Sequence, residues 1–465
     1  MNGVFQKSKA WGWAAFLLLA IPAAVRAQTY FTNGNFVYCA NWPEITIPEY
    51  EGPWRYTATK YLGSSGVVTI PGMVNGYPVT KVGQQIFYSR ESVPKKVTIS
   101  ESGWFWDIEG AAFYGCTNLT NVVFPSSITN IGEMAFYGCT KLTNIALPLS
   151  GWCNVGSHAF ACSGLRHVEV PDGGLNVGEG AFSDCAALTE ITVFPYVANP
   201  TYFSTNGVLC RYTNRTCLIQ YPAGKPGAYS IPEGVVKVEP YAFSGCRNLS
   251  DIAIGDGVTN IGHYAFKGCA GLVEIEIPDS VTAMGNYAFE SCVGLATARV
   301  GNGITTLYGT FSQCSNLVRA VMGSGVANIA YSVFRNCPRL TGAYFPGAAP
   351  MLSGTNWFDG ATNATVYRLP GAAGWPEVPG LWAGRPTALW LPETKADESL
   401  GVRDGRFGFS VGWAGGQTIV VEAATNLADP VWVPVGTNAL DGDSTYFSDA
   451  EWADRPGCFY RITMP

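Results

Sequence analysis

The chain has 465 residues, of which 47% are hydrophobic and only 13% are charged, about half of the roughly 25% charged residues in an average soluble domain. Such a composition excludes intrinsic disorder, which requires low hydrophobicity and high charge. The 28 basic residues are outnumbered by 34 acidic residues, so the phosphate backbone of a nucleic acid would be repelled. Nucleic-acid binding is therefore excluded as well.

The first 27 residues have the pattern of a secretory signal peptide. Lys7 and Lys9 precede an apolar stretch over residues 11–25, and a small-residue cleavage site ends at Ala27. We expect cleavage before Gln28, export, and a secreted or cell-surface location. The alternative is an uncleaved membrane anchor, but the stretch is shorter than the about 20 residues of a membrane span. We expect no transmembrane span in the mature chain.

Residues 28–66 contain short alternating apolar segments separated by turn residues. This pattern predicts a β-rich lead-in that covers the first unit of the repeat that follows.

Residues 67–390 carry an internal repeat. The segment AAFYGCTNLTNVVFP at 111–125 returns as MAFYGCTKLTNIALP at 134–148 and as YAFKGCAGLVEIEIP at 264–278. A fixed period of 20 to 50 residues is typical of a solenoid. The key phenylalanines recur at intervals of 22 to 26 residues, apart from one interval of 61 that holds an insertion at about 194–230: Phe87, Phe113, Phe136, Phe160, Phe182, Phe243, Phe266, Phe289, Phe311, Phe334 and Phe358.

Each unit reads as two short strands joined by a glycine corner, with the phenylalanine after the corner. A unit of about 23 residues cannot bury its own apolar side chains, whereas stacked units share one core. We therefore predict about eleven repeats of 22–24 residues whose structural core contains Phe113, Phe136, Phe160, Phe182, Phe243, Phe266, Phe289, Phe311 and Phe334.

The repeat I-P-x-x-V-T-x-I-G-x-x-A-F-x-x-C-x-x-L-x-x-I resembles the BspA-type leucine-rich repeat family of exported and surface proteins. The resemblance implies a right-handed solenoid with a parallel β-sheet on the concave face, and it implies no enzyme activity. The first and last units depart from the pattern, as expected for units that cap a core.

Nine cysteines fall at the cysteine position of the repeat, with one of them a place early: Cys116, Cys139, Cys162, Cys185, Cys246, Cys269, Cys292, Cys314 and Cys337. Side chains stacked one per unit about 4.8 Å apart suit neither a run of disulfides nor a tetrahedral metal ion. We predict free thiols that act as small core residues, with no metal and no cofactor.

Cys210 and Cys217 lie in the insertion, in a pattern of two short strands around a polar turn. Strands paired in this way place the two residues opposite each other, and an exported protein meets oxidising conditions. We predict a cross-strand disulfide, with two independent thiols as the alternative.

In strands of the form L-x-x-I-x-I, the intervening side chains leave the core and line the concave sheet, the surface that solenoids use for partners. The candidates for partner binding are Arg166, His167, Glu169, Glu190, Thr192, Asp251, Glu274, Glu276, Thr297, Arg299, Arg319 and Tyr344. Acidic residues collect in the middle units, which indicates a partner with basic groups. The alternative is that these charges only keep the sheet soluble.

Residues 391–405 read as a linker, and residues 406–465 read as a small all-β sandwich, since apolar runs alternate with turns every 8 to 12 residues. Five aromatic residues of this module offer surfaces on which sugar rings stack, or else form its core: Trp413, Trp432, Tyr446, Trp452 and Tyr460.

Only three histidines are present, His158, His167 and His263, and their spacing indicates no nucleophile with a neighbouring base. We therefore interpret the chain as a non-catalytic exported or cell-surface solenoid that recognises an unknown protein or cell-surface ligand. The alternative is a carbohydrate-binding accessory protein that acts through the C-terminal sandwich.

Overall fold

A computed structural model of the chain describes residues 29–41, 55–88, 94–101, 104, 106–148, 153–171, 175–194, 201–212, 216–395, 397–440, 444–455 and 457–465. The predicted signal peptide lies outside the described residues. The chain forms two compact units, Met1–Leu209 and Cys210–Pro465. In the ranges given above, no helix has the length and apolar character needed to cross a membrane.

The first unit is built from short strands. They are β1 (Thr29–Asn33), β2 (Phe36–Asn41), β3 (Arg55–Tyr61), β4 (Val67–Ile70), β5 (Met73–Val74), β6 (Tyr77–Val82), β7 (Lys96–Ile99), β8 (Trp106–Ile108), β9 (Asn121–Val123), β10 (Ile128–Ile131), β11 (Cys153–Val155), β12 (His167–Pro171), β13 (Leu175–Val177), β14 (Glu190–Phe194) and β15 (Tyr202–Thr205). Strand β16 (Val208–Arg211) contains the boundary between the units.

The second unit continues with the same kind of strand. Its elements are β17 (Thr216–Gln220), β18 (Gly227–Ser230), β19 (Val235–Val238), β20 (Leu249–Ala253), β21 (Asn260–Ile261), β22 (Glu274–Ile277), β23 (Ala283–Met284), β24 (Thr297–Val300), β25 (Thr306–Leu307), β26 (Arg319–Val321), β27 (Asn328–Ile329), β28 (Gly342–Phe345), β29 (Met351–Leu352), β30 (Thr365–Arg368), β31 (Gly380–Trp382), β32 (Arg385–Leu389), β33 (Glu393–Thr394), β34 (Gly401–Arg403), β35 (Arg406–Gly412), β36 (Thr418–Ala424), β37 (Val433–Ala439), β38 (Ser444–Asp449), the 3-10 turn η1 (Trp452–Asp454) and β39 (Phe459–Thr463).

Strands of successive coils pair in parallel, so each unit is a β-solenoid and the predicted fold class is confirmed. In the first unit the parallel order is β3-β6-β8-β10-β11-β13, beside the sheets β4-β7-β9 and β12-β14. In the second unit, β22-β24-β26-β28-β30-β32 forms the longest parallel run, beside β17-β19-β21-β23, β18-β20 and β25-β27-β29.

Stacked phenylalanine rings form the centre of each core. In the first unit the rings of Phe87, Phe113, Phe136, Phe160 and Phe182 follow one another at centroid distances of 4.9 to 5.7 Å. In the second unit the row runs from Phe243 to Phe358 at distances of 4.8 to 6.0 Å. All of these side chains are buried, with a relative accessibility of at most 3%. Each ring therefore depends on the coils before and after it.

One coil was missed at the sequence level because tyrosine replaces the marker phenylalanine. The ring of Tyr221 stacks on Phe243 at 5.1 Å, and Tyr221 is buried. Strands β17 and β18 flank it in the usual order. Part of the segment interpreted as an insertion therefore completes a coil, and its spacing of 22 residues from Phe243 is the signal that could have identified it.

Several coils have glycine at the corner because two coils approach closely there, although Glu109, Glu239 and Ala330 occupy the same position in other coils. A Cβ atom on Gly132 would lie 2.6 Å from the backbone nitrogen of Gly110, and one on Gly156 would lie 2.6 Å from that of Glu133. No larger residue fits this contact without moving a backbone. At these positions the glycine follows from coil-to-coil packing.

The repeat cysteines have a polar role in addition to filling space. Seven of their thiols donate to the carbonyl oxygen of the phenylalanine one coil earlier at 3.1 to 3.2 Å, as Cys139 does to Phe113 and Cys292 does to Phe266. The same carbonyl groups also accept from a backbone N–H of their own coil, as that of Phe113 does from Cys116, so each thiol adds a hydrogen bond between neighbouring coils.

The prediction that nine cysteines share this column is wrong at Cys162, which lies at an intermediate depth outside it. Ser163 occupies the equivalent place, is buried, and lies 3.3 Å from the Cys185 thiol. The shift follows from the sequence, because Cys162 is two residues after its phenylalanine whereas the other cysteines are three residues after theirs.

The lead-in covers the end of the first core. Strands β1, β2 and β3 pair antiparallel, and β3 then pairs in parallel with β6. The ring of Tyr61 packs on Phe87 at 5.2 Å, and Phe36 packs on Tyr61 at 5.0 Å. Aromatic side chains of the lead-in therefore continue the stack of rings at this end.

The C-terminal residues form two small antiparallel sheets, β37-β36-β39 and a second sheet in which β33, β34 and β38 pair with β35. Strands β33 and β34 come from the segment interpreted as a linker. They are strands because their backbones complete the edge of β35. We refer to residues 393–465 as the C-terminal module.

The C-terminal module packs against the last coils of the second unit through one apolar cluster. Trp390, Val321 and Leu369 share this cluster with Val411 and Trp413 of the module. The indole nitrogen of Trp413 donates to the carbonyl oxygen of Trp390 at 2.8 Å. The module therefore covers the outward side of the last coils.

Replacement of Phe266 by alanine should lower the free energy of unfolding by about 3 to 5 kcal/mol, because it opens a cavity in the middle of a ring stack. Val273→Ala, at a side chain that is exposed, should change it by less than about 0.5 kcal/mol. Urea unfolding followed by circular dichroism measures both. Equal, small effects would contradict the shared core.

Stability should fall as the pH rises above about 8.5, the ordinary pKa of an unfolded thiol. Burial raises the pKa of Cys185 and of Cys337 to about 12. The unfolded chain therefore releases protons that the folded chain keeps, and each thiol contributes a loss of about 1.4 kcal/mol per pH unit over that range. Urea unfolding in reductant from pH 8 to pH 10 measures the slope. Cys185→Ala should make the free energy of unfolding depend less steeply on pH. An unchanged slope would contradict the raised pKa of the buried Cys185 thiol.

Trp390→Ala should destabilise the chain by about 3 to 5 kcal/mol and expose the C-terminal module to limited proteolysis, because the indole fills the cluster between the module and the coils. Tyr446→Ala is the control, since this ring of the module is exposed. A Trp390→Ala protein as stable and as protease-resistant as the control would contradict the docking.

Candidate functional site

The first unit holds five of the predicted partner-binding residues on one two-stranded surface. Strands β12 and β14 pair in parallel, with His167 opposite Glu190 and Glu169 opposite Thr192. The strands alternate, so Val168 and Ile191 are buried while these polar side chains and Arg166 face outward. The period of the repeat places residues 23 to 25 positions apart beside each other.

A polar network joins His167 to the two residues of β14. Its Nε2 atom lies 3.2 Å from the hydroxyl oxygen of Thr192, and its Nδ1 atom lies 3.7 Å from a carboxylate oxygen of Glu190. This order of hydroxyl, imidazole and carboxylate is that of a nucleophile with its base. Sequence spacing had not indicated it.

Three features distinguish this network from a built catalytic site. The distance of 3.7 Å is too long for a hydrogen bond, and the His167 and Glu190 side chains are 46% and 55% exposed. The backbones of β12 and β14 are engaged in their own ladder, whereas acyl transfer needs amide donors aimed at the developing oxyanion. The arrangement is that of a solvated polar network.

The second unit presents the other candidates on neighbouring coils. In β22, Ile275 and Ile277 point into the core while Glu274 and Glu276 are exposed. In the parallel register, Glu274 lies opposite Thr297 and Thr297 lies opposite Arg319. The sheet thus arranges a carboxylate, a hydroxyl and a guanidinium in one line across three coils.

A second line runs beside the first. Glu276 lies opposite Arg299, and the Arg299 Nε atom is 4.0 Å from a Glu276 carboxylate oxygen. Asp251 is exposed on β20, which pairs with β18, whereas β22 pairs with β24. The sheet is therefore interrupted between β20 and β22. Asp251 of β20 and Glu274 of β22 occupy the same repeat position, and their like charges oppose close pairing of the two strands.

These outward side chains line an open groove of about 580 Å³. We define the groove by its charged residues, together with Thr297: Asp251, Asp256, Glu274, Glu276, Arg299 and Arg319. A continuation of the cavity is bounded by Trp390 and by the turn Ala414–Gly416 of the C-terminal module. The turn of the module faces a part of the cavity lined by Asp256, Glu276, Asp279 and Arg299, whereas Trp390 lies beside Arg319 at the basic end of the groove.

The two arginines at that end are held by different contacts. Burial lowers the pKa of Arg299 from its ordinary value, Glu276 opposes this effect, and the neighbouring Arg319 lowers the pKa further. The Arg319 guanidinium lies 4.1 Å from the centre of the Tyr344 ring and 6.0 Å from that of Trp390. Cation–π contact of this kind fixes its position.

Tyr344 is covered by the protein itself. Its ring stacks on Tyr367 at 4.6 Å and meets the edge of Trp390 at 4.9 Å. Tyr344 and Tyr367 both pack against the apolar cluster of the C-terminal module. The local sequence could not predict this long-range packing, although Tyr367 occupies the same repeat position as Tyr344.

Four of the five aromatic residues proposed to stack on sugars are engaged within the C-terminal module. Trp413 is buried, Trp452 donates to the Gly405 carbonyl at 2.9 Å, and Tyr460 donates to the Asp449 carboxylate at 2.9 Å. The guanidinium of Arg461 lies 4.5 Å from the Trp432 ring. The exposed ring is that of Tyr446.

Cys210 and Cys217 lie on the neighbouring strands β16 and β17, and both are buried. Burial, together with the proximity of Cys217, raises the pKa of Cys210 to about 12. The structure holds the pair as thiols, and disulfide formation on export stays a prediction.

Across the ranges that the structure describes, no three His, Cys, Asp or Glu side chains are placed to hold a metal ion.

Comparison with known proteins agrees with the repeat. The sequence profile of the BspA type leucine rich repeat region matches residues 79–205 and 229–363, with six copies. No curated protein matches the sequence.

Several solved structures are similar to the chain. A leucine-rich repeat protein from Eubacterium ventriosum is 23% identical, covers 77% of this chain and all of its own, and superposes with a TM-score of 0.57. The pneumococcal vaccine antigen PcpA is 18% identical over 75% of this chain and 95% of its own, with a TM-score of 0.56. A leucine rich cell surface protein from Faecalibacterium prausnitzii is 22% identical over 75% of this chain and 96% of its own, with a TM-score of 0.44.

At these identities the first two structures support the solenoid fold alone, whereas the repeat profile covers more than half of the chain. The protein is a member of the BspA-type leucine-rich repeat family.

Proposed function

We propose that this protein is an exported, non-catalytic repeat protein that binds a protein partner outside the cell or at its surface through the groove of the second unit. The observation that carries the proposal is the fixed register of opposite charges across neighbouring coils of an open groove, Glu274 and Glu276 on one coil with Arg299 and Arg319 on the next two.

The backbone of the groove is rigid, which favours binding. Ile275, Ala298 and Ala320 anchor the successive strands in the core, and parallel ladders join β22, β24 and β26. A partner would therefore meet charges whose positions are already set, so little entropy is lost in ordering the backbone. Preorganised charges of this kind give specificity and fast association.

The character of the lining favours a polypeptide over the other ligand classes. The acidic chain disfavours nucleic acid. Sugar binding usually relies on exposed aromatic rings, and the packing of the aromatic residues in the C-terminal module argues against it. Carboxylates and guanidinium groups spaced across a sheet complement the charged side chains of a protein.

Export rests on the leader sequence, in which Lys7 and Lys9 precede the apolar stretch that ends near Ala27. The lack of a catalytic role is supported by the polar network of His167, in which the Glu190 carboxylate lies 3.7 Å from Nδ1, too far to orient the imidazole by a hydrogen bond, and both side chains are exposed to solvent.

A photo-crosslinking amino acid at position 297 should capture a protein when the chain is produced in its own bacterium, because Thr297 lies in the middle of the groove and is exposed. Position 306 is the matched control, since Thr306 is an exposed threonine on β25 in the other sheet of the same unit. Mass spectrometry identifies the adducts.

The proposal expects an adduct from position 297 that is absent from position 306 and is lost when Glu274 is replaced by lysine. Identical adducts at the two positions, or an adduct that survives Glu274→Lys, would show that the charged groove is not the binding surface. In that case the charges only keep the sheet soluble.

A further inference from the structure

The charges of the groove are separated along the solenoid axis. Asp251, Asp256, Glu274 and Glu276 lie towards its N-terminal coils, on β20, on the turn that follows β20, and on β22. Arg299 and Arg319 lie on the next two coils, β24 and β26. A ligand that satisfies both ends must carry a cation and an anion.

The spacing of the coils sets the distance between these two charges. Paired strands lie about 4.8 Å apart, so the two steps from Glu274 to Arg319 amount to about 10 Å. The further step from Glu274 back to Asp251 crosses the interruption between β20 and β22 and is at least as long as a paired step, so Asp251 lies about 14 Å or more from Arg319. An extended peptide advances about 3.3 to 3.4 Å per residue and turns every second side chain to the same face.

One residue separation on a peptide fits that distance. Side chains two residues apart on one face are about 7 Å apart, those four residues apart about 13 Å, and those six residues apart about 20 Å. Of these, the separation of four residues spans the groove from its acidic end to its arginines. A separation of two residues is too short for this distance, and a separation of six residues is too long.

The basic end suits a carboxylate. Arg299 and Arg319 stand close enough to affect each other, and a carboxylate between two guanidinium groups would relieve that repulsion and accept bonds from both. The stacking of Arg319 on Tyr344 holds one of these donors in place before the ligand arrives. The Trp390 ring lies beside this end, 6.0 Å from the Arg319 guanidinium.

We propose that the ligand of the groove is an extended polypeptide segment that crosses the coils, with a lysine or arginine over the acidic end and an aspartate or glutamate four residues away over Arg299 and Arg319. This inference rests on the proposed function and specifies the chemistry of the partner.

The test is to select peptides from a random twelve-residue display library on the immobilised full-length protein at low salt. Enriched peptides should carry a basic and an acidic residue four positions apart. Their affinity should fall about tenfold or more on the Asp251→Lys/Glu274→Lys double variant, which places like charges against the basic residue. Circular dichroism verifies that the variant is folded, as expected for two exposed side chains.

The control variant is Glu398→Lys/Glu451→Lys, which makes the same change in net charge on the C-terminal module, at two exposed carboxylates. Affinity for this variant should be unchanged. Moving the acidic residue of an enriched peptide to a separation of two or six residues should weaken binding about tenfold on the native chain.

The outcomes separate the two proposals. Peptides that depend on Asp251 and Glu274 but bind equally well at every charge separation would overturn this inference and leave the proposed function standing. A selection that yields no peptide sensitive to the groove variant would overturn both.

Discussion

The stacking of one coil on the next is the constraint on which the rest of the structure depends. A single coil has two or three short strands and one aromatic ring, too little apolar surface to fold alone. Each ring is covered by the rings of its neighbours at about 5 Å, as Phe266 is by Phe243 and Phe289. The glycine corner and the cysteine thiol serve the same stacking, since one permits the close approach of coils and the other adds a hydrogen bond from one coil to the next.

The groove follows from that stacking. Because strands pair in register from coil to coil, a residue type at one repeat position becomes a row on the surface, and the sequence of that row determines its charge. Glu274, Thr297 and Arg319 form such a row. The core residues between them keep the strands in place, so that the proposed recognition surface and the hydrophobic core are two faces of the same strands.

The sequence predicted the solenoid because its period is nearly constant and its marker residues are chemically distinctive. It predicted which side chains of β12, β14, β22 and β24 leave the core, since alternation within a strand is a local property. It missed the coil of Tyr221, where one aromatic ring replaces another, and it placed Cys162 in a column that Ser163 occupies. Local spacing could not show that Tyr344 is covered by the C-terminal module, because the contact with Trp390 depends on how residues far apart in the chain fold back.

Native-state hydrogen exchange tests the shared core most directly. With Phe266 replaced by alanine, the amides of the flanking coils, which contain Phe243 and Phe289, should lose protection together with those of the altered coil, because the three rings form one packed row. Faster exchange confined to the altered coil, with its neighbours protected as in the native chain, would show that the coils are independent and would contradict the account.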